Sequence, residues 1–388
     1  MRDWGWVAGL GALAWVAGGA MTARAQTTAL NGVGDGLPQA EIAQEFQAYS
    51  AANPSVVFNY QLSSTATTIF LSDTSLQFGT DETPLTSAQA LGYTRTATNG
   101  PLIQIPMFGF GVAVPYNNPS LGRRQQLTDA QLCGIMSGTI TNWSQISNTS
   151  GAITVVYRAD QDPTSFLLSQ HFNAVCNAGN SGFGIYPVPI TTQFSAMFAG
   201  GVVPKNFVAE NGAANAATEI LATTYAMGYL TPDYTSVAPH SPHTTALKVA
   251  GLVNGVNGTA YAPTATAISV GLANPGLGST NTSPPATESA AKNVLSWVPT
   301  IPVTNKGYPI VGYGDWLLVT CNNNTTVDQQ LENFLVDHYK ISTYVDIRKN
   351  SNLVNIPQAF YSAIHAVFLT NQRKYNLNIG NPKVCPHG

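Results

Sequence analysis

The chain has 388 residues, of which 44% are hydrophobic and only 9% charged, with a formal net charge of −3. An average globular domain is about 25% charged, so solubility here rests on Ser, Thr and Asn. The mildly acidic balance speaks against a nucleic-acid partner, which needs a basic face, while length and apolar content suffice for a large core and about two domains.

The first elements concern export. Met1 to Trp6 carries a single arginine, an apolar run follows from Val7 to Met21, and Ala23-Arg24-Ala25 supplies a small-x-small cleavage pattern before Gln26. This order predicts a secretory signal peptide over 1–25. The apolar run is interrupted by glycines and falls short of the roughly 20 residues that span a bilayer. Without those residues the formal balance becomes −4. Periplasmic or secreted localisation is therefore expected.

Strand-like and helix-like stretches then alternate, which predicts an α/β architecture. Strands are expected at Val56–Tyr60, Ile103–Pro115, Ala152–Tyr157, Pro309–Tyr313 and Trp316–Thr320. Helices are expected at Ala40–Ala51, Ser165–Cys176, Val327–Tyr339 and Pro357–Leu369. In the third of these, Leu331, Phe334, Leu335 and Tyr339 share one face, as core-packing residues do. Between Pro239 and Pro299 the chain is rich in Pro, Thr, Ser, Ala and Gly, and reads as an irregular surface excursion. Within it, His240 and His243 have no third metal ligand nearby and read as a solvated loop. The four cysteines, Cys133, Cys176, Cys321 and Cys385, form no CxxC pair and have no His at zinc-ligand spacing. A metal site or cofactor is not expected. An even count in an exported chain argues for two disulfides, with three connectivities open.

Several segments resemble one family. Leu30-Asn31-Gly32-Val33-Gly34-Asp35-Gly36-Leu37-Pro38-Gln39 is similar to the opening glycine-rich loop of DING proteins, an extracytoplasmic branch of the phosphate-binding proteins of ABC importers. It departs at the name-giving Asp-Ile, which here is Ala29-Leu30. Gly100–Pro106, Leu132–Gly134, Thr141–Ile146, Gly151–Arg158, Gly307–Gly312 and Asn378–Gly380 follow in family order.

The resemblance implies a two-lobed α/β solute-binding fold (type II), its lobes joined by two crossing strands near Phe108–Gly111 and Tyr308–Gly312. Lobe one would be 26–108 plus 311–388, and lobe two 109–310. The separations and the family layout imply disulfides Cys133–Cys176 and Cys321–Cys385, each within one lobe. The implied ligand is phosphate or another small solute, the implied partner an ABC permease, and the implied state a monomer.

Such a cleft holds phosphate by backbone N–H groups at helix starts, hydroxyls and one arginine. A carboxylate accepts the proton of HPO4²⁻ and so rejects sulfate. The resemblance carries these roles to the amides of Gly36 and Leu37, to the hydroxyls of Ser63, Ser64 and Thr65, and to Asp81 or Glu82 as the acceptor. In the arginine loop it points to Arg158, oriented by Asp160, and to Thr164. That loop departs from the family's Ser-Gly-Thr. Asp162 stands where a serine donor is expected, and Pro163 has no N–H to give. An ionised Asp162 would repel an anion, yet Asp162 and Pro163 also form a favourable N-cap and first turn. Two other functions stay open: the same fold with an altered, non-phosphate ligand, and a secreted phosphatase-like enzyme. The chain lacks Gly-x-Ser-x-Gly and its six histidines are scattered, so an enzyme is the least expected.

Overall fold

The structure is a computed structural model that describes residues 27–34, 39–122, 124–241, 243, 246–322, 324–340 and 342–385. The expected signal peptide, and with it Gly36 and Leu37, lie outside the described residues. Its framework is two five-stranded sheets.

The first sheet contains β1 (Thr28–Gly34), β2 (Val56–Leu62), β3 (Phe78–Asp81), β4 (Leu102–Gly111) and β13 (Val311–Val319), in the order β2-β1-β3-β13-β4. β1 runs parallel to β2 and β3, whereas β13 is antiparallel to both its neighbours. The second sheet contains β5 (Pro115–Tyr116), β7 (Thr154–Arg158), β8 (Phe207–Glu210), β9 (Ala226–Gly228) and β10 (Lys248–Val249), in the order β10-β5-β9-β7-β8. A small third sheet joins β6 (Gln126–Leu127), β11 (Gly251–Val253) and β12 (Ala260–Tyr261).

Two strands expected near the end are one strand, β13, with a register shift between Gly314 and Asp315. Conversely, the stretch expected as one strand over 103–115 is divided. β4 ends at Gly111, paired with Val311, and the chain then enters the second sheet, where Ala113 bridges Leu230. Beside this passage the chain returns in the opposite direction. Ile310 accepts from the Val112 N–H (3.1 Å), and the Tyr308 hydroxyl donates to the Val112 carbonyl (2.6 Å). These two segments connect the lobes.

The excursion expected over 239–299 is not irregular throughout. It contributes β10 to β12 and the helix Ala265–Leu272, whose Ile268 and Leu272 are buried, and it buries Trp297 completely. Widely spaced apolar anchors among turn residues suffice to hold it down, although their spacing gives no clear period. His243 is also not simply solvated, since its imidazole stacks on Tyr234 (4.2 Å between centroids) and lies 3.3 Å from Asp233.

Both disulfides are formed as expected, Cys133–Cys176 across 43 residues and Cys321–Cys385 across 64. Glu45, on the helix 39–52, meets His338 at 2.6 Å and Arg348 at 3.1 Å. Burial would raise this carboxyl, but its contacts with His338 and Arg348 hold it below its ordinary range.

Candidate functional site

A cleft of about 450 Å³ runs between residues of both sheets' connections. One wall carries Ser64, Thr65, Thr67, Asp81 and Thr83; the other carries Gln161, Asp162, Pro163, Phe166, Thr191 and Thr192.

The first wall is built at the carboxyl ends of β2 and β3. After β2 the chain turns at Ser63, whose N–H reaches the Gly34 carbonyl at 2.9 Å, and the helix Ala66–Ser72 begins. Thr65 stands at its N-cap without a side-chain cap bond. Instead its hydroxyl meets that of Ser63 at 3.0 Å. Ser64 and Thr65 line the cleft, whereas Ser63 does not.

Asp81, the last residue of β3, is buried and faces the same space. One carboxylate oxygen accepts from the Thr83 N–H (2.9 Å) and hydroxyl (2.8 Å), and the other from the Thr67 hydroxyl. Glu82 is also buried but is not part of the cleft wall. Of the two candidate acceptors, Asp81 is the one that lines the cleft. On the neighbouring strand Asp315 pairs in register with Asp81. Asp315 is fully buried, and neither carboxyl oxygen has a hydrogen-bond partner among the described residues. Burial, followed by the nearby Asp81, pushes its carboxyl well above the ordinary range.

The second wall grows from β7. Arg158 ends this strand, only 7% exposed, and its backbone N–H is held by the Tyr229 hydroxyl at 3.1 Å. All three nitrogens of its guanidinium meet two carboxylates. Nε and Nη2 donate to Asp160 at 2.9 and 2.5 Å, and Nη1 lies 2.5 Å from Asp162 Oδ2. The expected orienting role of Asp160 is thus matched by its geometry.

Asp162 does two things at once. While Oδ2 faces Arg158, Oδ1 caps the helix Pro163–Val175, accepting from the N–H groups of Thr164 (2.9 Å) and Ser165 (3.4 Å) and from the Thr164 hydroxyl. Burial pushes its carboxyl up, against the opposing pull of Arg158 and Thr164. Thr164 is buried beneath it and does not reach the cleft wall.

Thr67 belongs to the hydroxyl loop read from the sequence, whereas Thr83, Gln161, Phe166, Thr191 and Thr192 were given no site role there. Thr67 and Thr83 were legible as hydroxyls flanking expected site residues. Thr191 and Thr192 carry no local signal; Thr192 is brought to the site because its carbonyl accepts from the Asp162 N–H at 2.9 Å.

Residues 21–298 match a family model described as a PBP superfamily domain. "Alkaline phosphatase L" of Pseudomonas aeruginosa PAO1 is 29% identical over 381 residues, covering 93% of this chain and 94% of that protein. A "Phosphate-binding protein" from an unknown prokaryotic organism is 30% identical, with coverage of 81% and 88%. Among solved structures, a high affinity periplasmic phosphate-binding protein (PfluDING) bound with phosphate matches with a TM-score of 0.76 at 27% identity. That match covers 93% of this chain and 98% of the other. The ancestral soluble variant of the Human Phosphate Binding Protein matches with a TM-score of 0.77, again at 27% identity and with the same coverage of both chains.

Proposed function

This chain belongs to the PBP superfamily, and from that premise we propose that it is an extracytoplasmic solute-binding protein holding phosphate or a related oxyanion between its two lobes. The supporting observation is convergence. A hydroxyl-bearing loop, a buried carboxylate and an arginine loop at a helix start, drawn from both sheets, meet at one cleft of about 450 Å³. In this reading the lobes are 26–108 with 311–388 and 109–310, exchanging near the Gly111–Val311 pair. In this reading Gly36, Leu37, Ser64, Thr65, Asp81 and Arg158 hold the ligand, Asp162 faces it, and Ser63 and Thr164, which do not line the cleft, support Thr65 and Asp162 by their hydroxyls. The protein acts as a periplasmic or secreted monomer that delivers its solute to an ABC permease. Hydroxyls, amides and carboxylates suit hydrogen-bonding of a solute, and this favours binding over ester cleavage, despite the phosphatase name borne by several relatives.

The test is Arg158→Lys, which keeps a cation beside Asp162 but removes the planar fork. Phosphate affinity, read by isothermal titration, is expected to fall at least tenfold. Unchanged affinity would place the ligand elsewhere, and turnover of a phosphate monoester by the native protein would overturn the binding-only reading. The pairing of Arg158 with Asp160 and Asp162 favours one second reading: a solute that donates hydrogen bonds to Asp162 and Asp81.

A further inference from the structure

We propose that Asp162 is a tethered anion that occupies the arginine seat of the cleft, and that an oxyanion binds there by displacing it. The inference rests on the reading of this cleft as an oxyanion site.

It follows from counting donors. Arg158 directs Nε and Nη2 at Asp160, and Nη1 at Asp162. The helix start at Pro163 has lost one N–H to proline, and its next two, from Thr164 and Ser165, point at Asp162 Oδ1. The Thr164 hydroxyl also goes to that oxygen. All three guanidinium nitrogens, both helix-start amides and the Thr164 hydroxyl are therefore turned to one or other aspartate. Asp162 satisfies two of the groups that recognise anions, a guanidinium arm and a helix N-terminus. Of the arginine and the two aspartates, only the aspartate at 162 lines the cavity, while Arg158 lies behind it and does not. The loop as a whole carries two carboxylates against one guanidinium, so an arriving oxyanion meets a net negative charge.

Displacement has an open route, because a side-chain rotation of Asp162 into the cleft frees Nη1 and the two amides together. Asp160 has no comparable position. It is one-third exposed, does not cap the helix, and accepts from the Gly212 N–H at 3.3 Å.

The experiment is isothermal titration of the full chain with inorganic phosphate, comparing native protein with Asp162→Ser and Asp162→Asn. Asparagine caps helices as well as aspartate does, so the second variant keeps the fold, and calorimetry without ligand checks this. Phosphate affinity is expected to rise at least tenfold in Asp162→Ser and severalfold in Asp162→Asn. A crystal structure of the native protein with phosphate should show the Asp162 carboxylate turned away from Arg158. Equal phosphate affinity in all three proteins would overturn the tethered-anion role while leaving the oxyanion reading intact. A phosphate-bound structure with the Arg158–Asp162 pair unbroken would do the same. Absence of phosphate binding in all three would overturn the oxyanion reading itself.

Discussion

Two buried carboxyls set the behaviour of individual residues in this protein. Asp162 faces Arg158 at the end of β7, Asp160 in the loop after it, Tyr229 and Tyr234 from the segment after β9, and Asp81 across the cleft. Burial raises its carboxyl, so it takes up a proton at a higher pH than an ordinary aspartate. Once neutral it no longer competes as an anion. The ratio of phosphate affinities, Asp162→Asn over native, is therefore expected to shrink towards one as pH falls. Taking the ratio cancels the titration of phosphate itself. A ratio that grows on acidification would contradict this role.

Asp315 offers a stability test of the same physics. Its folded-state proton affinity is raised by burial and by Asp81, so folding favours the protonated form. Stability is then fully present below the unfolded carboxyl range near pH 4 and declines as pH rises towards the raised folded value. Asp315→Asn should melt at about the native temperature near pH 4 and several degrees higher at pH 7. Equal melting temperatures at both pH values would contradict the assignment. In the sequence, Asp81 and Arg158 were legible because each stands in a motif, whereas Asp315 was not. It sits inside an apolar strand pattern, and only the register of β13 against β3 shows that it opposes Asp81.

Among the elements, the passages between the sheets are the most constrained. Gly307 has φ +86°, and a Cβ there would lie 2.3 Å from the Gly271 nitrogen and 2.8 Å from the Ala267 carbonyl oxygen. The helix Ala265–Leu272 is thereby pressed against the return crossing, where the Tyr308 N–H meets the Ala267 carbonyl at 2.9 Å. Gly307→Ala should cost on the order of 2–4 kcal/mol, from the left-handed backbone and the contact with main-chain atoms. Differential scanning calorimetry would show this as a lowered melting temperature, and an unchanged one would contradict the packing described.

This region also marks the limit of reading elements from sequence. The long helices at 39–52 and 325–339 were legible from their apolar faces and the strands at 56–62 and 154–158 from β-branched and aromatic runs, nearly to their ends. The stretch 239–299 was not, because its short elements are held by distant parts of the chain rather than by local pattern: β10 by β5, β11 by β6, and the helix 265–272 by β4 and β13. The division of the expected 103–115 strand was likewise invisible, since a continuous apolar run looks the same whether it serves one sheet or passes between two.

At the scale of the molecule, two sheets are joined by two adjacent crossings, and a cleft opens between their connections. Each disulfide lies on one side of those crossings, Cys133–Cys176 beside the second sheet and Cys321–Cys385 beside the first, so neither ties the lobes together. The architecture was legible from the order of family-like segments, but the state of the arginine loop was not. That Asp162 both pairs with Arg158 and caps the helix depends on coordinates, since its spacing alone fits a cap or a repulsive neighbour. The central claim is that the cleft recognises a protonated oxyanion, with Asp81 accepting the ligand's proton. The most direct measurement is isothermal titration of the native protein at neutral pH with phosphate and, separately, with sulfate. The expected result is one phosphate per chain, with sulfate at least tenfold weaker because it has no proton for Asp81. Equal affinity for the two anions, or no heat with either, would contradict it.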